Sequence, residues 1–136
     1  MKGIGFKMSV FDLMVRIKNL LNFDGWSVKI GLENSLNIDD YPMIRIVPQK
    51  NAIDEGFDSW AEDIYFSVYI GVEFDPLNLE RAYQKIYAKE SDIYEILHNF
   101  QWEDGGLIRF IDTSKYENEH FLMLETSFKI QSFRLR

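Results

Sequence analysis

Residues 64–74, which read IYFSVYIGVEF, decide the fold of this chain. Apolar residues occupy every second position of this stretch: Ile64, Phe66, Val68, Ile70, Val72 and Phe74. A period of two places them on one face of a β-strand, because successive side chains of a strand point to opposite sides. One apolar face beside a mixed face is typical of an antiparallel sheet. We therefore predict a long strand with one buried face.

An amphipathic helix is predicted to begin at Ser9. Ser9 and Asp12 have the spacing of a capping box, and apolar residues follow at helical spacing as far as Leu21. Gly25 is free to adopt the left-handed conformation that ends such a helix. Residues 1–8 are expected to form a loose N-terminal arm, because their glycines weaken regular structure.

Two short strands are predicted between this helix and the long strand. Alternation marks the first over residues 26–30. Pro42 and Pro48 bracket the second, residues 43–47, because proline cannot donate to a sheet ladder. Residues 49–59 are predicted to form an acidic loop.

A second helix is predicted directly after the long strand. Asp75 is expected to cap it and Pro76 to occupy its first turn. The apolar pattern extends to Phe100 with a break near Glu90–Ser91, and Gly105–Gly106 is predicted to close the segment.

Two more strands complete the predicted order. They cover residues 107–111 and 122–130, with a polar turn at 113–119. A one-residue slip of the pattern after residue 130 indicates either a bulge or a change of environment. The resulting order is α-β-β-β-α-β-β. It favours a single α+β domain over residues 9–136, in which two helices pack on one side of a mainly antiparallel sheet of about five strands.

Composition excludes several classes of function. The 136 residues contain no cysteine, so no disulfide, thiolate nucleophile or sulfur-ligated metal is available. The net charge of −7 argues against a protein that binds nucleic acid by neutralising phosphates and against adhesion to anionic membranes. With no secretory signal and no apolar run near the roughly 20 residues of a membrane span, we expect a soluble intracellular domain.

Enzyme chemistry is weakly represented. His98 is expected on the second helix, and Glu117, Glu119 and His120 could hold a metal only weakly in a polar turn. Three adjacent carboxylate pairs are expected in loops: Asp39–Asp40, Asp54–Glu55 and Glu103–Asp104. Such acids are more often hydrated than catalytic, although a small hydrolase that uses one pair is an alternative. We expect no enzyme, no catalytic residue, no cofactor and no bound metal.

The second face of the long strand carries large amphipathic residues. Tyr65 and Tyr69 lie on it, and Phe57 and Trp60 come just before. A helix or a loop of the same chain is one way to cover these side chains. A partner is the other, because Trp and Tyr are enriched at protein interfaces.

The arrangement of these segments resembles a known family. It combines the N-terminal amphipathic helix, a Tyr41-Pro42 step into a short strand, an acidic loop, and Asp58-Ser59-Trp60 with Glu62 before the long strand. Over residues 9–134 this pattern is similar to the lambda-type tail-terminator, or tail-completion, proteins of long-tailed bacteriophages.

The resemblance implies a structural virion protein with no catalytic residues. Such subunits form a hexameric ring that caps the head-proximal end of the tail tube, stops its polymerisation and meets the head-completion proteins. Assembly in the host cytoplasm, a final location in the virion and passage of DNA without specific binding follow from the same resemblance. The sequence departs from the tail-terminator pattern in its arm at residues 1–8 and in the expected break in helix two. Either departure favours a neighbouring head–tail connector family as an alternative.

Two sets of residues become candidate sites under this interpretation. The candidate partner interface contains Tyr41, Pro42, Phe57, Trp60, Tyr65 and Tyr69. The candidate channel lining contains the acids Asp54, Glu55, Asp58, Glu62 and Asp63, because an acidic lumen repels phosphates. The alternative function is a small non-catalytic α+β module that binds a ligand or a protein as a monomer or dimer.

Overall fold

A five-stranded sheet with both helices on one face forms the fold. The structure is a computed structural model that describes residues 9–55, 59–101 and 106–135, so the predicted arm at residues 1–8 lies outside the described residues. The elements are α1 (Val10–Leu20), β1 (Ser27–Ile30), a 3-10 turn (Ile38–Asp40), β2 (Met43–Glu55), β3 (Ser59–Glu73), α2 (Leu79–His98), β4 (Ile108–Glu117) and β5 (Phe121–Leu135).

The strands lie in the order β1-β2-β3-β5-β4. The β1–β2 pair is parallel, and the other three pairs are antiparallel. This mixed sheet and the α-β-β-β-α-β-β sequence of elements confirm the predicted α+β class. The long strand predicted from residues 64–74 is part of β3, which occupies the centre of the sheet.

The alternating apolar face of β3 forms the middle of the core. Phe66, Val68 and Ile70 have no exposed surface. Leu13 of α1 and Ile86 of α2 belong to the same buried cluster. Helix α1 covers β1 and β2, whereas α2 covers β3, β5 and β4.

Helix α1 begins as predicted. The Ser9 hydroxyl accepts a hydrogen bond from the Asp12 amide at 3.1 Å, and the Asp12 carboxylate accepts one from the Ser9 amide at 3.0 Å. This reciprocal pair is a capping box with Asp in the third position. Gly25 then turns the chain with a φ of +82°, which suits a residue without a Cβ.

The prediction that Pro48 ends the second strand is wrong. Strand β2 continues to Glu55, and its pairing with β3 shifts register between Pro48 and Lys50. The irregularity accommodates a residue that has no amide hydrogen to donate. The predicted loop at residues 49–59 is therefore mostly strand, and Trp60 lies within β3.

Three predictions about α2 are also wrong. Pro76 precedes the helix, which begins at Leu79, and does not occupy its first turn. Asn78 is the N-cap residue, and the Asp75 carboxylate instead accepts a hydrogen bond from the Leu77 amide at 2.9 Å in a turn before the helix. The helix runs without a break through Glu90 and Ser91 to His98. Of the predicted closing pair, Gly105 lies outside the described residues, and a Cβ on Gly106 would fall 1.8 Å from the Gln131 carbonyl oxygen.

The C-terminal strands are longer than predicted. Strand β4 extends to Glu117, so the turn at 113–119 reduces to a few residues in which the Asn118 side chain accepts from the amides of His120 and Phe121. Of the two explanations for the slip after residue 130, the bulge is wrong, because β5 pairs with β3 in constant register as far as Leu135. An irregularity occurs in β4 instead, between Phe110 and Asp112.

Three strands extend beyond the rest of the sheet. Residues 51–55 of β2, 59–63 of β3 and 131–135 of β5 pair with one another, and no further strand among the described residues joins them. We call this part the three-stranded extension. It carries four of the five acids in the candidate channel lining.

Candidate partner interface

Tyr41 packs against other residues of the same chain. Its side chain is 8% exposed and stacks on Phe121, with ring centroids 4.7 Å apart. It also lies over Gly71 of β3, where a Cβ would come within 2.8 Å of the Tyr41 ring. The loop between β1 and β2 thus covers this part of the second face of β3, and little of Tyr41 remains for a partner. Pro42, which follows a cis peptide bond, is half-buried.

Tyr65 and Tyr69 lie on the second face of β3 and are half-buried. The Lys50 ammonium group lies 4.9 Å from the centre of the Tyr65 ring, a cation–π contact across the β2–β3 pair. Burial raises the pKa of Tyr69, and the nearby Glu125 carboxylate raises it further. Both tyrosines therefore already have partners within the sheet.

A polar network surrounds Tyr69. The Ser67 hydroxyl accepts a hydrogen bond from the Gln49 amide group at 3.1 Å and donates to the Glu125 carboxylate at 3.3 Å. The Tyr116 hydroxyl donates to the other oxygen of Glu125 at 2.8 Å, and this hydrogen bond raises the pKa of Tyr116. This half of the second face is thus a mixed polar and aromatic surface.

Two acids of the candidate channel lining lie on opposite faces of the sheet. Glu62 and Asp63 are consecutive in β3, so their side chains lie on opposite faces. Glu62 is buried and accepts a hydrogen bond from Asn51 at 2.8 Å. Asp63 is half-buried and accepts one from Gln131 at 2.9 Å. The five acids therefore do not share one surface.

Some residues of the two candidate sets lie, wholly or in their side chains, outside the described part of the structure. Phe57 and Asp58 lie outside the described residues. Asp54, Glu55 and Trp60 belong to the described backbone of the three-stranded extension, where Glu55 pairs with Trp60 and Asp54 with Ala61, but their side chains are not described.

The histidines and carboxylate pairs do not converge on one site. His98 stacks on Tyr94 at 5.9 Å in α2, whereas His120 is exposed in the turn before β5. Glu117 accepts a hydrogen bond from Tyr83, which lowers the pKa of that carboxylate. Asp39 and Asp40 lie in the 3-10 turn, and Glu103–Asp104 lies outside the described residues. Residues 9–55, 59–101 and 106–135 contain no group of three side chains suited to a metal ion.

Sequence reasoning missed a pocket between α2 and β4. Its volume is about 260 Å³, and its lining is Tyr87, Glu90, Ser91, Tyr94, Phe110 and Thr126. The spacing of Tyr87 and Tyr94 by seven residues on α2 was the available signal. Phe110 and Thr126 come from distant strands, so only the fold brings them to the same place.

Large apolar side chains are exposed at this same edge of the sheet. They include Tyr87, Tyr94, Leu107, Phe110 and Ile111, whereas Tyr116 is exposed on the opposite face of β4, where it meets Glu125. Fewer are exposed towards the opposite edge, on α1 and after β1: Phe11, Leu20 and Leu32. Phe11 and Leu20 lie on opposite sides of α1, because nine residues span about two and a half helical turns. Exposed apolar groups of this kind are typical of surfaces that meet another protein.

No family model and no curated protein sequence matches the chain. Neither helix in the described ranges has the length and apolarity that crossing a membrane requires.

Proposed function

We propose that this chain is a structural subunit of a bacteriophage or prophage tail. It assembles into an oligomeric ring that caps the tail tube as a terminator, or joins tail to head at the adjacent position. The proposal begins from the resemblance of residues 9–134 to tail-terminator proteins. The structural observation that carries it is the presence of two different apolar edges on one small domain.

A closed ring of identical subunits needs two unlike surfaces on each subunit. Every contact in such a ring is heterologous, since one patch of a subunit meets a different patch of the next. The α1 edge, which presents Phe11, lies beside β1 and β2. The α2–β4 edge, which presents Phe110 and Ile111, lies at the other end of the sheet. This placement supports head-to-tail assembly more than a two-fold dimer.

The backbone at the two sheet edges adds to this argument. Strands β1 and β4 each have a neighbour on one side only within the described chain. An edge strand with exposed apolar side chains is prone to pair with another chain unless something covers it. Strand β4 spans ten residues, from Ile108 to Glu117, and presents Phe110 and Ile111 there. A neighbouring subunit would cover both the backbone edge and these side chains.

The three-stranded extension is the proposed channel element. It projects beyond the helix-covered sheet and carries Asp54, Glu55 and Asp63, and Asp58 follows from the same stretch of sequence. Glu62 is left out of the proposed lining because it is buried against Asn51. Carboxylates around a DNA conduit would repel phosphates, so DNA would pass without being held.

Ring formation is tested by native mass spectrometry and negative-stain microscopy of the purified chain. We expect a species of six times the 16.1 kDa chain mass and six-fold particles. Phe11→Ser and Phe110→Ser should each abolish the ring, because each removes one of the two surfaces. A mixture of the two variants should stop at dimers, since only one intact surface of each kind remains. Leu77→Ser, at an exposed position outside both edges, is the control and should leave the ring intact.

One result would contradict the proposed ring. A wild-type chain that remains a monomer or a two-fold dimer, both alone and with tail tubes present, would contradict the ring. It would favour the small binding module instead.

A further inference from the structure

The pocket between α2 and β4 has three aromatic walls. Tyr87 and Tyr94 are two helical turns apart on α2, and Phe110 of β4 meets Tyr94 edge-to-face with centroids 5.8 Å apart. The three side chains are 43%, 45% and 44% exposed, respectively. Their rings are therefore held by neighbours but still open to an incoming group.

A carboxylate lies between these walls. Glu90 and Ser91 occupy the helical turn between the two tyrosines. One oxygen of Glu90, Oε2, accepts hydrogen bonds from the hydroxyls of Thr113 at 2.6 Å and Thr126 at 2.8 Å. These bonds tie the carboxylate to β4 and β5, so its position is fixed before any ligand arrives.

The second oxygen of Glu90 is left for another donor. Oε1 accepts no hydrogen bond and joins no ion pair with a side chain in residues 9–55, 59–101 or 106–135. The adjacent Lys89 lies on another side of the helix, where its ammonium group is 3.7 Å from the centre of the Phe23 ring and 3.7 Å from the Asp92 carboxylate. The pocket thus contains a half-buried acid that has no cationic partner among the described side chains.

This combination selects for a positive charge. The faces of aromatic rings attract cations, and the attraction grows when the cation leaves water. A carboxylate oxygen strengthens binding further through a charge-assisted hydrogen bond. An anion would meet repulsion from Glu90, and a neutral apolar group would leave Oε1 without a donor.

The size of the pocket and its position indicate the source of the cation. A volume of about 260 Å³ lies just below the roughly 300–1,000 Å³ that is usual for small-molecule sites, and suits a single side chain. Leu107 and Ile111 are exposed close by on the same edge, where a protein surface would bury them. We infer that this pocket binds the guanidinium or ammonium group of an arginine or lysine side chain presented by a partner protein. The inference does not depend on ring assembly or on a phage origin.

The site is tested with amino-acid amides and aromatic-resolved NMR of the full chain. The probes are N-acetyl-arginine amide, N-acetyl-lysine amide, the neutral isostere N-acetyl-citrulline amide, and tetramethylammonium as a free organic cation. We expect saturable shifts of the Tyr87, Tyr94 and Phe110 resonances with the arginine and lysine probes and none with citrulline. Tetramethylammonium should bind more weakly than arginine, because it has no N–H group to donate to Glu90.

Two variants locate the binding. Glu90→Gln keeps an oxygen that can accept from the two threonines and should weaken arginine binding about tenfold. Glu95→Gln, on the exposed side of the same helix, is the matched control and should bind as the wild type does. Tyr94→Ala changes an exposed wall and should also weaken binding, which keeps the test decisive if Glu90→Gln proves unstable.

Three results would overturn the inference. They are equal binding of citrulline and arginine, unchanged affinity in both Glu90→Gln and Tyr94→Ala, and absence of saturable shifts at the three aromatic residues. Tighter binding of tetramethylammonium than of arginine would overturn the assignment to a protein side chain and identify a site for a free organic cation.

Discussion

Arg45 shows how one buried residue ties neighbouring segments together on the second face of the sheet. Its side chain is fully buried, and its guanidinium group donates to both oxygens of Glu33 at 2.7 and 3.0 Å. The same group donates to the carbonyl oxygens of Ser27 and Ile44. A buried charge is tolerated only when it is paired and hydrogen-bonded, and these contacts tie the segment after β1 to β2.

Removing the counter-charge should destabilise the fold. In Glu33→Gln the buried guanidinium loses its carboxylate partner. We expect the free energy of unfolding at pH 7 to fall by about 2 kcal/mol, less than the roughly 3–5 kcal/mol of fully buried pairs because Glu33 is partly exposed. Urea denaturation measures the change. Glu119→Gln, at an exposed site, is the control and should change stability little.

The same pair predicts a dependence on pH. Hydrogen bonding to Arg45 lowers the pKa of Glu33 from 4.5 to about 2. A carboxyl group whose pKa is lower in the folded state stabilises the fold fully above its unfolded pKa, and this contribution disappears as the pH falls through the folded pKa. The stability difference between wild type and Glu33→Gln should therefore be complete at pH 7 and shrink between pH 4.5 and about 2. A difference that stays constant over this window would contradict the role given to Glu33.

At the scale of elements, helix α1 depends on the residue that caps it. Ser9 supplies one half of the capping box, and Asp12 supplies the other. Ser9→Ala leaves one early amide of the helix without its acceptor, so we expect a loss of about 1 kcal/mol in the free energy of unfolding. Chemical denaturation measures it, with Ser35→Ala at an exposed loop position as the control. Equal stability of the two variants would show that the cap does not stabilise α1.

Other elements differ in how far their residues reveal them. The period of two in residues 64–74 requires a buried face, and β3 has one, because alternation and burial have the same physical cause. Pro48 misled the prediction because an irregular pairing accommodates its missing amide hydrogen. The polar stretch at 113–119 resembled a turn, but most of it belongs to β4, an edge strand whose polar side chains face water. Polarity alone does not separate an exposed strand from a loop.

The candidate sites were less predictable, because they depend on contacts between residues that are far apart in the sequence. The alternation in β3 predicts that Tyr69 lies on its second face. The contact of Tyr69 with Glu125, however, depends on pairing with a strand more than fifty residues later. Tyr41 resembled an interface residue and instead packs over Gly71. The α2–β4 pocket needs Glu90 beside Thr126, which no local pattern contains.

At the scale of the whole molecule, the proposed ring gives a role to part of the net charge of −7. Part of the acidity lies on the three-stranded extension, away from the helix-covered core, while exposed apolar groups lie at the two edges of the sheet. In the proposed ring, the edges join neighbouring subunits and the extension meets passing DNA. The cationic side chain accepted by the α2–β4 pocket would then come from whatever protein covers that edge.

The measurement that tests the central claim most directly is the length of phage tails in the absence of this chain. The gene is deleted from its phage or prophage, lysates are imaged by electron microscopy, and a plasmid copy restores the wild-type chain. The account predicts overlong tails without heads in the deletion, tails of normal length with heads after complementation, and no rescue by Phe110→Ser. Normal virions from the deletion strain would contradict it.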